Sequence, residues 1–177
     1  DDDGYLPEAV INYLARLGWS HGDDELFSRE QMVQWFDGQH LSKSPAQWDP
    51  AKLAWVNAQY LKHTDDARLA ALVQTQLQRL GIEGLPGDDW LQRVCALYKD
   101  RCTTAADLAG WAAIYLCAPT LSDEARVAWQ PFDNAATRTA LDDLVRALQD
   151  ATWDAPSMNG AVKSGVAREG LGMPELA

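Results

Sequence analysis

Apolar residues recur three and four positions apart along almost the whole chain. The first stripe contains Leu6, Val10, Leu14 and Leu17. It predicts a helix that begins near Pro7 and packs on that stripe. The same spacing predicts eight further helices, the last of them weak: about residues 28–36, 50–61, 64–80, 90–98, 103–115, 122–129, 133–148 and 158–168. Only residues 39–43 resemble a short extended piece, so the predicted fold class is all-α, or mainly α-helical.

Residues that favour helix N-termini stand in front of several of these stretches. Ser28 and Gln31 have the spacing of a capping box. Asp49 precedes a proline at the first helical position, which is a strong start signal. Thr64 and Asp133 are expected to cap the helices that follow them. The helix starts are thus predicted from local chemistry as well as from periodicity.

Composition places the chain among ordinary globular proteins. Of its 177 residues, 47% are hydrophobic and 23% are charged, which excludes a mostly disordered chain. No stretch approaches the ~18 apolar residues that span a bilayer, and the acidic start is the opposite of a basic leader peptide. A soluble cytosolic chain is predicted. The formal net charge of −11 argues against a polyphosphate partner for the chain as a whole, although binding depends on the local field.

Residue types that carry catalysis or bind metals show no suggestive spacing. Cys95, Cys102 and Cys117 form no C-x-x-C pair, which predicts buried free thiols in a reducing compartment. The three histidines form no metal-binding pattern, and neither a glycine-rich phosphate loop nor a G-x-S-x-G motif occurs. Adjacent acids such as Asp65 and Asp66 are expected at helix starts, where the helix dipole favours them. The chain alone is predicted to lack a catalytic site.

Two windows of the sequence depart from the acidic background. Residues 40–62 carry three lysines (Lys43, Lys52 and Lys62) against one aspartate, and residues 90–105 carry Arg93, Lys99 and Arg101 against one aspartate. Aromatic residues alternate with these cations: Trp48, Trp55, Tyr60, Trp90 and Tyr98. Cations neutralise phosphates and rings stack on unpaired bases, which is a common way to read RNA. The same pattern also fits core aromatics beside solvated lysines, and both interpretations stay open on spacing alone.

Two blocks of sequence resemble a known family. They read GYLPEAVINYL and LGWS over residues 4–20, then SPAQWDP from residue 44, followed by Lys52-Leu53, Trp55-Val56-Asn57 and Tyr60-Leu61. This chain resembles the region after the KMSKS loop of bacterial glutamyl-tRNA synthetases, closely in these blocks and more loosely to its C-terminus. Ala58 replaces a frequent glycine, and Gln47-Trp48 replaces a more usual Val-Phe. The resemblance implies a class I aminoacyl-tRNA synthetase cut after its catalytic fold, since the HIGH and KMSKS motifs are absent.

The resemblance implies a three-part organisation. Residues 1–62 correspond to the stem-contact domain, 63–150 to the first anticodon-binding helical subdomain, and 151–177 to the start of a truncated second one. A seam is accordingly expected near residues 63–65.

The resemblance also implies particular contact residues. For the tRNA stem these are Lys52, Trp55 and Lys43, with Asn57 and Tyr60 bracing the block. For the anticodon they are Arg101 and Lys99, and an arginine at the position of Arg101 reads the third anticodon letter in discriminating members of the family. The two basic windows are expected to share one face.

The partners and cofactors implied are those of a glutamate–tRNA ligase. They are tRNA(Glu), the missing N-terminal catalytic domain of the same polypeptide, and ATP with magnesium in that domain. No cofactor is expected in this chain, and a cytoplasmic monomer without a membrane partner is implied. The alternative is an acidic all-helical protein-interaction module that uses exposed tryptophans as anchors and binds no nucleic acid.

Overall fold

The computed structural model describes residues 3–43, 45–87, 89–118, 120–152 and 154–169. Over those residues the chain forms nine α-helices and no strand: α1 (Pro7–Gly18), α2 (Arg29–Trp35), α3 (Pro50–His63), α4 (Asp66–Arg79), α5 (Trp90–Tyr98), α6 (Ala105–Leu116), α7 (Asp123–Trp129), α8 (Ala135–Asp150) and α9 (Ala155–Glu169). Two short 3-10 turns follow α5 and α7: Lys99–Arg101 and Gln130–Phe132. The predicted all-α fold class is confirmed. Within the described ranges no helix has the length and apolar character needed to cross a bilayer.

The predicted extended piece at residues 39–43 is reduced to one antiparallel bridge, between Leu41 and Trp19. The amide of Ser42 donates to the carbonyl of Gly18 (2.9 Å), so this stretch is fastened to the end of α1. Since a strand needs a longer ladder to persist, the bridge anchors a loop and forms no sheet in the described part of the chain.

Two of the predicted helix starts are confirmed. Ser28 and Gln31 form both hydrogen bonds of a capping box. The Asp49 carboxylate accepts from the amides of Ala51 (2.9 Å) and Lys52 (3.1 Å) at the start of α3, which satisfies two of the unpaired donors of the first turn.

Two predicted caps are wrong by one residue. Asp65, not Thr64, accepts from the amides of the first turn of α4, while the Thr64 hydroxyl donates to the Tyr60 carbonyl at the end of α3 (2.8 Å). Asn134, not Asp133, caps α8, and Asp133 pairs with a side chain of that helix instead. Both positions offered two adjacent residues able to cap, and the backbone path decided between them.

The stripe predicted to bury α1 is also wrong in part. Leu6 is buried at the N-cap, but Leu14 is exposed, and the buried face of the helix is formed by Ala9, Asn12 and Tyr13. Asn12 accepts from the Phe27 amide (3.0 Å), and the Tyr13 hydroxyl accepts from the amide of Asp49 (2.7 Å). Polar groups with partners far along the chain therefore turn α1 away from its most apolar stripe.

The chain divides into two compact units, Asp1–Pro119 and Thr120–Ala177. In the first, α1 packs on α3, and α4 packs on α5 and α6. Their apolar residues share one core: Leu6, Ala9, Val56, Leu61, Leu69, Val73, Leu77, Leu91, Cys95, Leu108 and Ala112. In the second, α8 packs on α9 and buries Thr137 and Ala140. Residues on both sides of the expected seam at 63–65 belong to the first core, and the three-part division implied by the resemblance stays a prediction.

The N-terminal segment approaches α6 so closely that a side chain is excluded at Gly4. A Cβ there would lie 2.5 Å from the Ala106 amide nitrogen, and the φ of +76° is one that L residues rarely adopt. The Gly4 carbonyl accepts from the amide of Ala105 (2.9 Å). Glycine is therefore required for this contact on two independent grounds.

The prediction of buried thiols holds for two of the three cysteines. Cys95 and Cys102 are buried, whereas Cys117 is exposed. Burial raises the pKa of Cys95 to about 12 and that of Cys102 to about 11, since a thiolate loses its hydration there. Those two thiols serve as small apolar core groups.

Candidate nucleic-acid interface

Lys52 lies in the first turn of α3, where the Asp49 cap fixes the backbone. Its ammonium lies 4.1 Å from the centroid of the Trp55 ring, the geometry of a cation–π contact between neighbours on a helix. The same ammonium lies 2.6 Å from Oε2 of Glu25, and the Lys52 side chain keeps 40% of its surface exposed. The predicted pair of Lys52 and Trp55 is therefore brought together, but with a carboxylate that the local sequence pattern did not include.

The backbone of Glu25 is held by polar side chains of α1 and α3. The Asn12 amide donates to the Glu25 carbonyl (2.9 Å), and the Tyr60 hydroxyl lies 2.7 Å from both Asn12 Oδ1 and the Phe27 carbonyl. The hydrogen bond from Lys52 holds the pKa of Glu25 below its ordinary value. The loop before α2 thus presents a fixed negative group to the lysine.

Asn57 and Tyr60 brace this block, as predicted. Asn57 is fully buried; its side-chain oxygen accepts from the Leu6 amide (2.8 Å) and its amide group donates to the Thr103 carbonyl. Asn57 therefore joins α3 to the segment before α1 and to the loop before α6. Burial raises the pKa of Tyr60, which keeps its hydroxyl neutral and able to donate.

Lys43 lies in the loop that precedes α3 and is exposed. No ion pair joins it to any residue that the structure describes. Trp48, farther along the same loop, meets the ring of Tyr13 edge to face at 5.2 Å. Lys43 is therefore an exposed charge in the loop before α3.

Lys99 points away from solvent. Its ammonium lies 2.8 Å from the Asp66 carboxylate and 3.3 Å from the Thr64 carbonyl, and its side chain is only 20% exposed. It therefore ties the turn after α5 to the junction between α3 and α4. Lys99 therefore has a structural role at this junction, and its contact with the anticodon stays a prediction.

Arg101 ends the same turn and is exposed. Among the described residues none forms a hydrogen bond or ion pair with its guanidinium. The backbone around it is well held, because Cys102 is buried and Thr104 and Asp107 form a capping box at the start of α6. Arg101 thus combines a fixed backbone with a planar donor group that has no competing acceptor.

The fold brings the two windows into one compact unit, and the turn Lys99–Arg101 packs against α3, the helix that carries Lys52. The sequence analysis missed the two acids that neutralise lysines, Glu25 and Asp66, because each lies far from its partner in the chain. It also missed Trp111 and Tyr115 as possible contact residues. Their spacing of four on a predicted helix was the available signal.

Acidic residues of this region serve as helix caps and as partners of lysines. In the described ranges no three histidine, cysteine, aspartate or glutamate residues are grouped so as to hold a metal. Hydrogen bonds from Thr103 and Thr104 to Asp107 overcome the opposing effect of burial and lower the pKa of Asp107, as expected for a cap and not for a general base. The arrangement offers charge and ring surfaces for binding.

Comparisons with known proteins agree on one family. A family model described as an anticodon-binding domain matches residues 58–177, and one described as the catalytic domain of class I tRNA synthetases (E and Q) matches residues 1–55. The glutamate–tRNA ligase of Paracidovorax citrulli is 52% identical to this chain; the match covers 99% of this chain and 36% of that protein. The glutamate–tRNA ligase of Bordetella petrii is 50% identical, and the match covers 100% of this chain and 37% of that protein. The chain thus spans little more than a third of its curated relatives. A crystal structure of a glutamate tRNA ligase from Elizabethkingia meningosepticum, in complex with its amino acid, superposes with a TM-score of 0.79 at 28% identity, covering 97% of this chain and 34% of that one.

Proposed function

The chain belongs to the anticodon-binding domain family, as a segment of a glutamyl-tRNA synthetase, and on that premise we propose that it binds tRNA(Glu) along the stem and the anticodon loop. Its role is positional: it holds the distant parts of the tRNA so that the acceptor end reaches a catalytic domain carried elsewhere in the polypeptide. Remote binding of this kind orients a reaction without taking part in its chemistry.

The observation that carries the proposal is the exposed guanidinium of Arg101, which has no hydrogen-bond or ion-pair partner among the described residues and lies on a turn packed against α3. A planar fork donates two parallel hydrogen bonds to the acceptors of a base edge, and an unpaired base presents those acceptors openly. Arg101 is proposed to read the third anticodon letter. Lys52 on Trp55, with Lys43 nearby in the chain, is proposed to meet the phosphates of the stem.

The activity of the complete enzyme follows as part of the same proposal. It joins glutamate to the 3′ end of tRNA(Glu) in protein synthesis, with ATP and magnesium bound by the catalytic domain and no cofactor bound by the residues of this chain. The complete enzyme is proposed to act in the cytoplasm as a monomer.

A second candidate function is the acidic protein-interaction module. An apolar groove of about 520 Å³ between α1 and α2 favours it; its lining includes Trp19, Val33, Phe36 and Leu41. Exposed apolar side chains around a groove fit a protein partner better than a polyanion. A module of this kind binds tRNA no better than any other protein of net charge −11 does.

The experiment compares Arg101→Ala and Lys52→Ala in equilibrium binding to tRNA(Glu) and to the same tRNA changed at the third anticodon letter. Arg101→Ala is expected to lose about 1–3 kcal/mol of discrimination between the two tRNAs. Lys52→Ala is expected to weaken both complexes equally. Arg93→Ala is the matched control, because that arginine is exposed on α5 but paired with Asp89, the N-cap residue of that helix.

Salt dependence separates the two candidate functions. Binding through phosphates weakens by about 0.7–0.9 log unit per contact for each tenfold increase in salt. A complex that forms only weakly at low salt, and equally with unrelated RNA, supports the interaction module. Equal effects of the Arg101 and Lys52 variants on both tRNAs contradict the proposed division of labour.

A further inference from the structure

Four aromatic rings form a row along the seam between α5 and α6. The rings of Tyr98 and Trp111 are stacked with centroids 4.8 Å apart and planes 9° from parallel. Tyr115 continues the row, with its centroid 6.3 Å from that of Tyr98 and 6.4 Å from that of Trp90. The hydroxyls of Tyr98 and Tyr115 are also hydrogen-bonded to each other, so the rings hold one another in place.

These rings are more accessible to solvent than the core that joins the two helices. Trp111 is 39% exposed and Tyr115 57% exposed. The contact between α5 and α6 is already filled by Leu91, Cys95 and Leu108, which are buried. Exposed rings of this size contribute little to folding while they stay in water, but they form large rigid surfaces that a ligand can cover.

The row begins next to the proposed anticodon reader. Tyr98 is the last residue of α5, and the turn that carries Arg101 follows at once. Lys99 holds Asp66 in an ion pair, and Asp107 is engaged in its capping box. In the described part of the chain neither Asp100 nor Asp107 forms an ion pair, and the capping hydrogen bonds lower the pKa of Asp107 and so keep it charged. Arg101 is therefore not part of an excess of positive charge around this turn.

We propose that the stacked pair of Trp111 and Tyr98 is a platform on which an unpaired base of the anticodon loop stacks while Arg101 holds a neighbouring base edge. The inference rests on the proposed function. A base can continue the existing parallel stack, since nucleic acid bases and aromatic side chains share this packing geometry. Because the surface around this turn carries no excess of positive charge, the platform supplies its affinity by stacking and not by phosphate neutralisation.

Because the platform binds by stacking and the lysines bind phosphates, their contributions to tRNA affinity can be measured separately. Truncation of a stacking ring lowers affinity at every salt concentration alike, whereas truncation of a phosphate-binding lysine reduces the slope of affinity against salt. The flanking Leu97 and Ile114 are exposed as well, so a protein segment is the competing occupant. If these rings bind a protein segment and no base, their truncation should not distinguish between tRNAs with and without loop bases.

The test measures binding of the chain to tRNA(Glu) and to the same tRNA in which the anticodon-loop nucleotides are abasic. The variants are Trp111→Ala, Trp111→Phe and, as matched control, Leu97→Ala, which truncates a 65% exposed apolar side chain on α5. We expect Trp111→Ala to raise Kd for the intact tRNA about tenfold with an unchanged salt slope. Trp111→Phe is expected to keep most of the affinity, and Trp111→Ala to have no effect on the abasic tRNA.

Two results would overturn the platform, and they differ in what they imply for the proposed function. An effect of Trp111→Ala that persists on abasic tRNA, or is no larger than that of Leu97→Ala, overturns the platform and leaves tRNA binding intact. Failure of the unmodified chain to bind tRNA(Glu) in a salt-dependent manner overturns the proposed function, and the platform with it. Circular dichroism and urea midpoints of the three variants verify that each one folds.

Discussion

The two basic windows have the same net charge in the sequence and different structures in the fold. Lys52 lies over the exposed ring of Trp55 beside Glu25, and both charged side chains are partly exposed to water. Lys99 is half as exposed and has two oxygen partners, Asp66 and Thr64. Arg101, two residues later, has none among the described residues. The function of a cation in this molecule is therefore decided by its partners and not by its count.

The comparison teaches how an acidic protein can still present cationic groups to RNA. An exposed ion pair contributes little to stability, so Lys52 can exchange Glu25 for a phosphate at small cost. The pair of Lys99 and Asp66 joins two parts of the backbone, and its disruption affects the position of the turn. The window of residues 40–62 therefore contains an ion pair that a phosphate can replace, between Lys52 and Glu25. In the window of residues 90–105, the pair of Lys99 and Asp66 positions the turn that carries Arg101.

The largest expected effect comes from a change that disrupts both regions. Asn57→Ala removes the side chain that links α3 to the Leu6 amide and to the Thr103 carbonyl, and leaves the amide of the buried Leu6 without its partner. We expect a loss of about 3 kcal/mol in the free energy of unfolding, measured by urea denaturation. Gln59→Ala on the same helix is the control, with an expected change within about 0.5 kcal/mol. Similar losses in both variants would show that Asn57 does not join the two regions.

The next effect contrasts the two ion pairs directly. Asp66→Asn is expected to cost about 1 kcal/mol of stability, because a half-buried pair and its geometry are lost, and to leave tRNA affinity no higher. Glu25→Gln is expected to leave the urea midpoint unchanged and to strengthen tRNA binding about twofold, since Lys52 is released and a repelling charge is removed. A loss of stability in Glu25→Gln together with tighter tRNA binding by Asp66→Asn would contradict this assignment. It would mean that the pair of Lys52 and Glu25 is the structural one and the pair of Lys99 and Asp66 the replaceable one.

The smallest effect concerns a third pair, between Glu8 on α1 and Arg68 on α4, which holds together the helices on which both regions depend. Two hydrogen bonds from Arg68 (2.5 and 3.0 Å) hold the pKa of Glu8 below 4.5, its ordinary value. Because the folded pKa is the lower one, the unfolded chain binds the proton more tightly. The stabilisation is present above about pH 4.5 and is lost as the pH falls through the lowered value.

Arg68→Gln is expected to remove about 0.5 kcal/mol of stability near pH 7 and to flatten the decline of stability between pH 5 and 3. The measurement is a series of urea midpoints over that range. Arg93→Gln serves as control, because it breaks an exposed pair between α5 and its own N-cap residue, Asp89. If both variants decline with pH as steeply as the unmodified chain, the contact between Glu8 and Arg68 contributes nothing in solution.

Local rules predicted much of the fold. The capping box at Ser28 and the Asp49 cap of α3 each form between residues at most three positions apart. Such short-range hydrogen bonds can be predicted from the local sequence alone. Thr64 and Asp133 were predicted one residue from the true caps because either of two neighbours satisfied the same rule. The orientation of α1 depended on Asn12 and Tyr13, whose partners lie 15 and 36 positions away, and no periodicity contains that information.

The sequence by itself determined that the chain is helical, where most helices begin, and which family it resembles, because those properties depend on neighbouring residues and on short continuous sequence motifs. Only the tertiary structure decided which cations are available. Glu25 and Asp66 reach their lysines across 27 and 33 positions of chain, and the rings of Trp111 and Tyr98 meet because two helices pack. Electrostatic and stacking energies depend on distance in space, and distance in space is set by folding.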